Sequence, residues 1–159
     1  MTPSPIQAAI SQNKPFSSPG HEAVIGLMLV ADSLRRQFAR VSEPFGVTGQ
    51  QYNVLRILRG GGKEGVPTLT IAARMIEQTP GITRLLDRLE EKSLVRRERC
   101  DADRRQVLCW ITPAGLKLLE SMDAVVRQLE CDVIASLKPA EQRALVRLLG
   151  RIVEAHGSG

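Results

Sequence analysis

Apolar residues recur three and four positions apart over residues 22–41, at Val24, Leu27, Met28, Leu34 and Phe38, with charged side chains between them. That spacing predicts a helix with one buried stripe, and Pro44 and Gly46 end it. Thr48 then stands where an N-cap belongs, ahead of Tyr52, Leu55 and Leu58 in a second helix that Gly60, Gly61 and Gly62 break. A short extended stretch around Val66 and Pro67 follows, and Thr68 caps a brief third helix to about Ile76. Thr79 followed by Pro80 repeats the start signal, so a fourth helix is expected from there to about Lys92. After Ser93 the period shortens. Residues 94–99 and 106–111 suit strands, and the polar segment 100–105 joins them as a hairpin longer than a tight two-residue turn. Thr112 and Pro113 open a helix carrying Leu116, Leu119, Met122, Val126, Leu129, Val133 and Leu137, and after Pro139 a last helix carries Leu145, Leu148, Leu149 and Ile152. Residues 1–20, rich in Pro, Ser and Gln, read as a flexible arm ordered only against a partner, and the tail 157–159 as disordered.

Short helices followed by a hairpin, between long flanking helices, predict a mainly α chain with a small β-hairpin wing, a winged helix-turn-helix. The fourth helix carries the informative pattern. At about 100° per residue, Ile82, Leu85, Leu86 and Leu89 share one face, Arg84 lies nearly opposite, and Thr83 and Arg88 flank it beside the small Gly81. A helix that reads DNA needs an anchored apolar side, a slim end and arginines able to reach base edges and phosphates. An ordinary amphipathic helix, its arginines paired with Asp87, Glu90 and Glu91, has the same pattern. Basic residues recur from Arg96 to Arg105 across the hairpin, where a tip lies against a duplex or enters a minor groove. Asp103 is expected to hold a neighbouring arginine by a charge-assisted bond; the alternative is a solvated turn of mixed charge. Helix and hairpin together, in this order, favour double-stranded DNA.

Composition narrows the classes. The 159 residues carry a formal charge of +5, which agrees with a polyanionic partner without requiring one. Aromatics are only 3% of the chain against 43% hydrophobic residues, as suits packed helices. Three cysteines without a CxxC pair and two histidines predict no structural zinc, and suit a reducing compartment. No signal peptide is evident and the apolar run 23–31 is too short to span a bilayer, so the chain is expected to be cytoplasmic and not membrane-bound. Neither a phosphate-binding loop nor a nucleophile elbow is present, so no enzyme activity and no cofactor are expected. His21 and His156 read as surface residues, Cys109 and Cys131 as packing residues, Cys100 as exposed near the wing, and Trp110 as a cap over the core at the hairpin base. The broad apolar face of the last helix reads as a surface for a partner subunit.

Four blocks, Val47-Thr-Gly-Gln-Gln-Tyr-Asn-Val-Leu55, Ile82-Thr-Arg-Leu-Leu-Asp-Arg-Leu-Glu-Glu-Lys-Ser-Leu-Val95, Asp103-Arg-Arg105 and Ile111-Thr-Pro-Ala-Gly115, resemble the signatures of the MarR family of bacterial regulators. The resemblance runs over residues 22–155, and residues 14–18 are similar to an N-terminal stretch in part of that family. It implies a homodimer built by a helix in residues 21–46 and the helices of 113–156, around a DNA-binding domain at 47–112. It places Thr79, Pro80, Gly81, Thr83, Arg84 and Arg88 on the recognition helix and Arg104 and Arg105 at the wing tip. It further implies repression from a pseudo-palindromic operator and release by a small aromatic or phenolic effector. Ser93 departs from the family's glycine, and the segment 70–74 lacks its usual acidic residue and leucine. The alternatives are a thiol-switched regulator and a helical dimer that acts through protein contacts.

Overall fold

The computed structural model describes residues 3–78, 80–100 and 103–156. Its first long helix, α2 (Pro19–Ser42), is capped by the Ser18 hydroxyl and has Pro19 in its first turn, where proline's missing N–H costs nothing. A 3-10 turn, Glu43–Phe45, ends it, and Gly46 takes the left-handed conformation. Thr48 and Gln51 then form a reciprocal capping box that starts α3 (Gly49–Arg59). The strand β1 (Val66–Pro67) leads into α4 (Thr68–Arg74), and α5 (Ile82–Glu91) follows. Strands β2 (Val95–Arg99) and β3 (Val107–Ile111) make the hairpin, and α6 (Pro113–Ile134) and α7 (Pro139–His156) close the chain.

The sheet is antiparallel with order β1-β3-β2. Val66 stands opposite Cys109, and Val95, Arg97 and Arg99 stand opposite Ile111, Cys109 and Val107. The extended stretch at Val66 is therefore a third strand that pairs forty residues ahead. Leu55, Ile71, Leu86, Leu89, Leu119 and Met122 are fully buried, one or more from each of α3, α4, α5 and α6, and Cys109 closes the core from the sheet. Burying such side chains contributes roughly 1.5–3 kcal/mol each. The core thus belongs to the winged domain and to α6 as far as Val126. In contrast, Met28 on α2 is 63% exposed and Val146 on α7 is 70% exposed.

Several expectations change. The arm is not featureless: α1 (Pro5–Ala9) is capped by Ser4, and Ile6 packs so closely on α2 that a Cβ at Gly26 would lie 2.8 Å from its Cδ1. The fourth helix starts at Ile82 and not at the Thr79 cap, because Gly81 has φ +119 and breaks the helical path; Thr79 itself lies outside the described residues, as does the tail 157–159. The third helix stops at Arg74, since Met75 is extended. Trp110 does not cap the core. Its ring lies on the outer side of the sheet against the loop after α3, with Nε1–H donating to the Lys63 carbonyl at 2.9 Å. Cys131, expected to pack, is exposed, whereas Cys109 is buried as expected.

Gly65 is the position where this packing demands glycine. Its φ is +76, and a Cβ there would lie 2.5 Å from the Trp110 ring. Gly65→Ala combines backbone strain of roughly 1–2 kcal/mol with overpacking of roughly 1–3 kcal/mol. A loss of about 2–4 kcal/mol is expected in urea unfolding, with a red shift of the Trp110 emission in the folded baseline as the ring is displaced.

Candidate nucleic-acid interface

The helix α5 is sided as its sequence demands. Leu85, Leu86 and Leu89 are buried, while Thr83, Arg84 and Arg88 are exposed. Pro80 and Gly81 are exposed at its approach, and no side chain caps its first turn, so the free N–H groups there are open to an anion. The turn before it is held from α3: the Ile76 N–H donates to Asn53 Oδ1 at 3.0 Å, and Gln50 Nε2 donates to Glu77 at 3.3 Å.

What decides the character of this face is an arginine from the next element. Alternation along β2 puts Arg97 on the inner side with Val95, and its side chain is only 20% exposed. Its Nη2 donates to Asp87 Oδ1 and to Glu90 Oε2, each at 2.6 Å, and its Nε donates to Glu90 Oε2 at 3.0 Å. The Arg97 backbone N–H donates to Glu90 Oε1 at 3.1 Å, so the carboxylate is gripped twice. Burial works against this cation, but the hydrogen bonds it donates to Glu90 and Asp87, with their negative charges, outweigh it and hold the guanidinium above its ordinary pKa. Two of the three acids of α5, Asp87 and Glu90, are therefore engaged from outside the helix. Among the described residues neither Arg84 nor Arg88 has an ion-pair partner. The self-paired amphipathic helix, which the sequence also allowed, is not what forms. Arg97 had been grouped with the basic residues of the hairpin; the strand period was the signal that separates it from them.

The wing tip is a backbone device. Cys100 N–H donates to the Gln106 carbonyl at 3.0 Å and Gln106 N–H to the Asp103 carbonyl at 2.9 Å. Asp103 Oδ1 accepts the backbone N–H of Arg105 at 3.0 Å. Asp103 thus shapes the turn through the main chain and not by gripping a guanidinium, as had been expected. Arg104 and Arg105 are exposed and without ion-pair partners among the described residues; residues 101 and 102 lie outside those described. Arg96, by contrast, is occupied: its guanidinium lies 4.3 Å from the Trp110 ring centroid and pairs with Glu98. So Thr83, Arg84 and Arg88 share one face of α5, Arg104 and Arg105 stand together at the tip, and Arg97 ties the two elements. Among the described residues no cluster of His, Cys, Asp and Glu is arranged to hold a metal, and no helix is long and apolar enough to cross a membrane.

A sequence profile of the MarR family matches residues 47–107, from the start of α3 to the start of β3. A Thauera aromatica protein described as a transcriptional regulator for the hcr operon is 31% identical over 118 residues, which is 74% of this chain and 70% of that protein. The chain belongs to the MarR family. It is accordingly a transcriptional regulator with the winged-helix DNA-binding fold, and members of the family are not enzymes. The crystal structure of a MarR transcription factor from Planctomyces limnophilus is 38% identical, with a TM-score of 0.67 over 86% of this chain and 98% of that one. The structure of BpsR from Bordetella bronchiseptica, described for the regulation of its DNA binding by 6-hydroxynicotinic acid, is 26% identical, with a TM-score of 0.73 over 87% and 97% of the two chains.

Two measurements check the local chemistry of this MarR-family chain. Arg97→Met keeps the stem but removes the fork. It is expected to lower stability by about 1–2 kcal/mol, a modest figure because Asp87 and Glu90 remain partly in water; an unchanged urea midpoint would contradict the fork. Burial, partly offset by the Thr68 hydroxyl, holds the Cys109 thiol above its ordinary pKa. Since the thiolate is the reactive form, raising the pH through the usual thiol range should leave native Cys109 unlabelled by iodoacetamide, and mass spectrometry should find the label there only after unfolding.

Proposed function

We propose that this MarR-family regulator binds a pseudo-palindromic operator as a homodimer in the cytoplasm, represses transcription from it, and releases it when a small aromatic or phenolic effector binds. The observation that carries the DNA reading is the division of charge on α5. Arg97 takes Asp87 and Glu90, which leaves Arg84 and Arg88 unneutralised beside Thr83 on the solvent face. In this reading Thr79, Pro80, Gly81 and Thr83 form the slim end that approaches the bases, Arg84 reads a base edge, and Arg88 meets a phosphate. Arg104 and Arg105 lie against the backbone or enter the flanking minor groove.

The homodimer is supported by uncovered apolar side chains on the two helices outside the core, Val24, Met28 and Val30 on α2 and Val146, Leu148 and Val153 on α7, each more than half exposed. Symmetric pairing would set two α5 helices in successive major grooves about 34 Å apart. Control by a small molecule is supported by the description of BpsR, whose DNA binding 6-hydroxynicotinic acid regulates.

The test is selection of a duplex from random DNA, followed by fluorescence-anisotropy titration at several salt concentrations against selected and scrambled duplexes. Arg84→Ala is expected to cost about 1–3 kcal/mol on the selected duplex and little on the scrambled one. Arg105→Ala is expected to weaken both alike and to reduce the salt slope by about 1. Equal losses from Arg84→Ala on both duplexes would remove it as a base reader, and no preference for any selected duplex would overturn the operator reading.

A further inference from the structure

The segment 75–81, which joins α4 to α5, is tied back to the body of the molecule at two adjacent residues. The Ile76 N–H donates to Asn53 Oδ1 of α3 at 3.0 Å. Glu77 accepts from Gln50 Nε2 of α3 at 3.3 Å and lies 4.0 Å from Arg35 Nη1 of α2. Both ties run toward the core side, because α3 carries Leu55 and Leu58 into the same cluster as Leu86 and Leu89 of α5. Gln78, the next residue, is exposed, and its amide has no hydrogen-bond partner among the described residues. It is the fourth residue before Ile82, so even extended chain keeps it within roughly 14 Å of the start of α5. Pro80 and Gly81 are exposed beside it, and a Cβ built on Gly81 would meet nothing within 4 Å, so open space adjoins this approach. The backbone is thus fixed just before Gln78 while the side chain stays uncommitted, as a recognition residue on a rigid support requires.

The chemistry of the side chain narrows what it can meet. A primary amide offers an acceptor and a donor in one plane. In the major groove adenine alone presents the matching pair on one base, the N6 amino donor and the N7 acceptor. A phosphate presents only acceptors and would leave the amide oxygen without a donor. Arg84 differs: it carries only donors, which match the two acceptors of guanine.

We propose that Gln78 is a further base-reading residue, which selects an adenine in each half-site of the operator. The inference rests on the operator-binding reading given under Proposed function and adds to it a second base preference, separate from that of Arg84.

The test starts from the duplex that the wild-type chain selects from random DNA. Each base pair of a half-site is replaced in turn, and the wild type and Gln78→Ala are titrated against the whole set by fluorescence anisotropy. Gln78 is exposed, and a thermal melt establishes that the variant is folded. At one adenine of each half-site the wild type is expected to lose about tenfold in affinity on substitution, within the range for one bidentate pair. Gln78→Ala should bind all four bases there alike and keep the other preferences of the wild type. Its salt slope should be unchanged, because no phosphate contact is lost. Replacing the same adenine by 7-deazaadenine, which lacks the N7 acceptor, should weaken the wild type about fivefold, as one lost hydrogen bond requires, and leave Gln78→Ala unaffected. Equal losses from Gln78→Ala on selected and scrambled duplexes, with a shallower salt slope, would make the residue a phosphate contact and overturn the base reading. Unaltered base preferences in Gln78→Ala, or a wild type indifferent to 7-deazaadenine, would overturn it too. A wild type that prefers no selected duplex overturns the operator reading and this inference with it, whereas an adenine preference that survives in Gln78→Ala overturns this inference alone.

Discussion

A guanidinium on the inner face of a strand has to be satisfied where it stands, and in this chain Arg97 is satisfied by the acids of the neighbouring helix. The cost of desolvating that cation is offset only because Asp87 and Glu90 lie one turn apart on α5 and converge on one fork. Two consequences follow from the same contact. Mechanically, α5 and the wing are joined side chain to side chain in addition to the apolar packing of Leu86 and Leu89 beneath. Electrostatically, Asp87 and Glu90 are engaged by Arg97 from one side while Arg84 and Arg88 are left without ion-pair partners among the described residues.

The fold was largely legible because its signals are local. Thr48, Thr112 and the prolines that follow caps mark helix starts, and the leucines at spacings of three and four mark the buried sides. What the sequence concealed depends on distant partners. Val66 becomes a strand only because Cys109 stands opposite it, and Trp110 turns outward because the loop at Lys63 and Gly65 offers it a surface and an acceptor. In the candidate site, the exposed Thr83, Arg84 and Arg88 were readable from the helical wheel. The role of Arg97 was not, since in a run of five arginines within residues 96–105 only strand register distinguishes an inward arginine from an outward one.

The molecule is thus divided into a well-packed winged domain and two helices, α2 and α7, that leave apolar surface uncovered.

If Arg97 makes helix and wing one DNA-binding unit, a double-mutant cycle reveals it most directly. Affinity for the selected duplex would be measured for the wild type, Arg97→Met, Arg105→Ala and the double variant. If the fork positions the wing, losing it already spoils the Arg105 contact. The double variant should then lose less than the two single losses combined, with a coupling of about 1 kcal/mol or more. Losses that add to within about 0.5 kcal/mol would contradict the account, leaving helix and wing as independent contacts on a common scaffold.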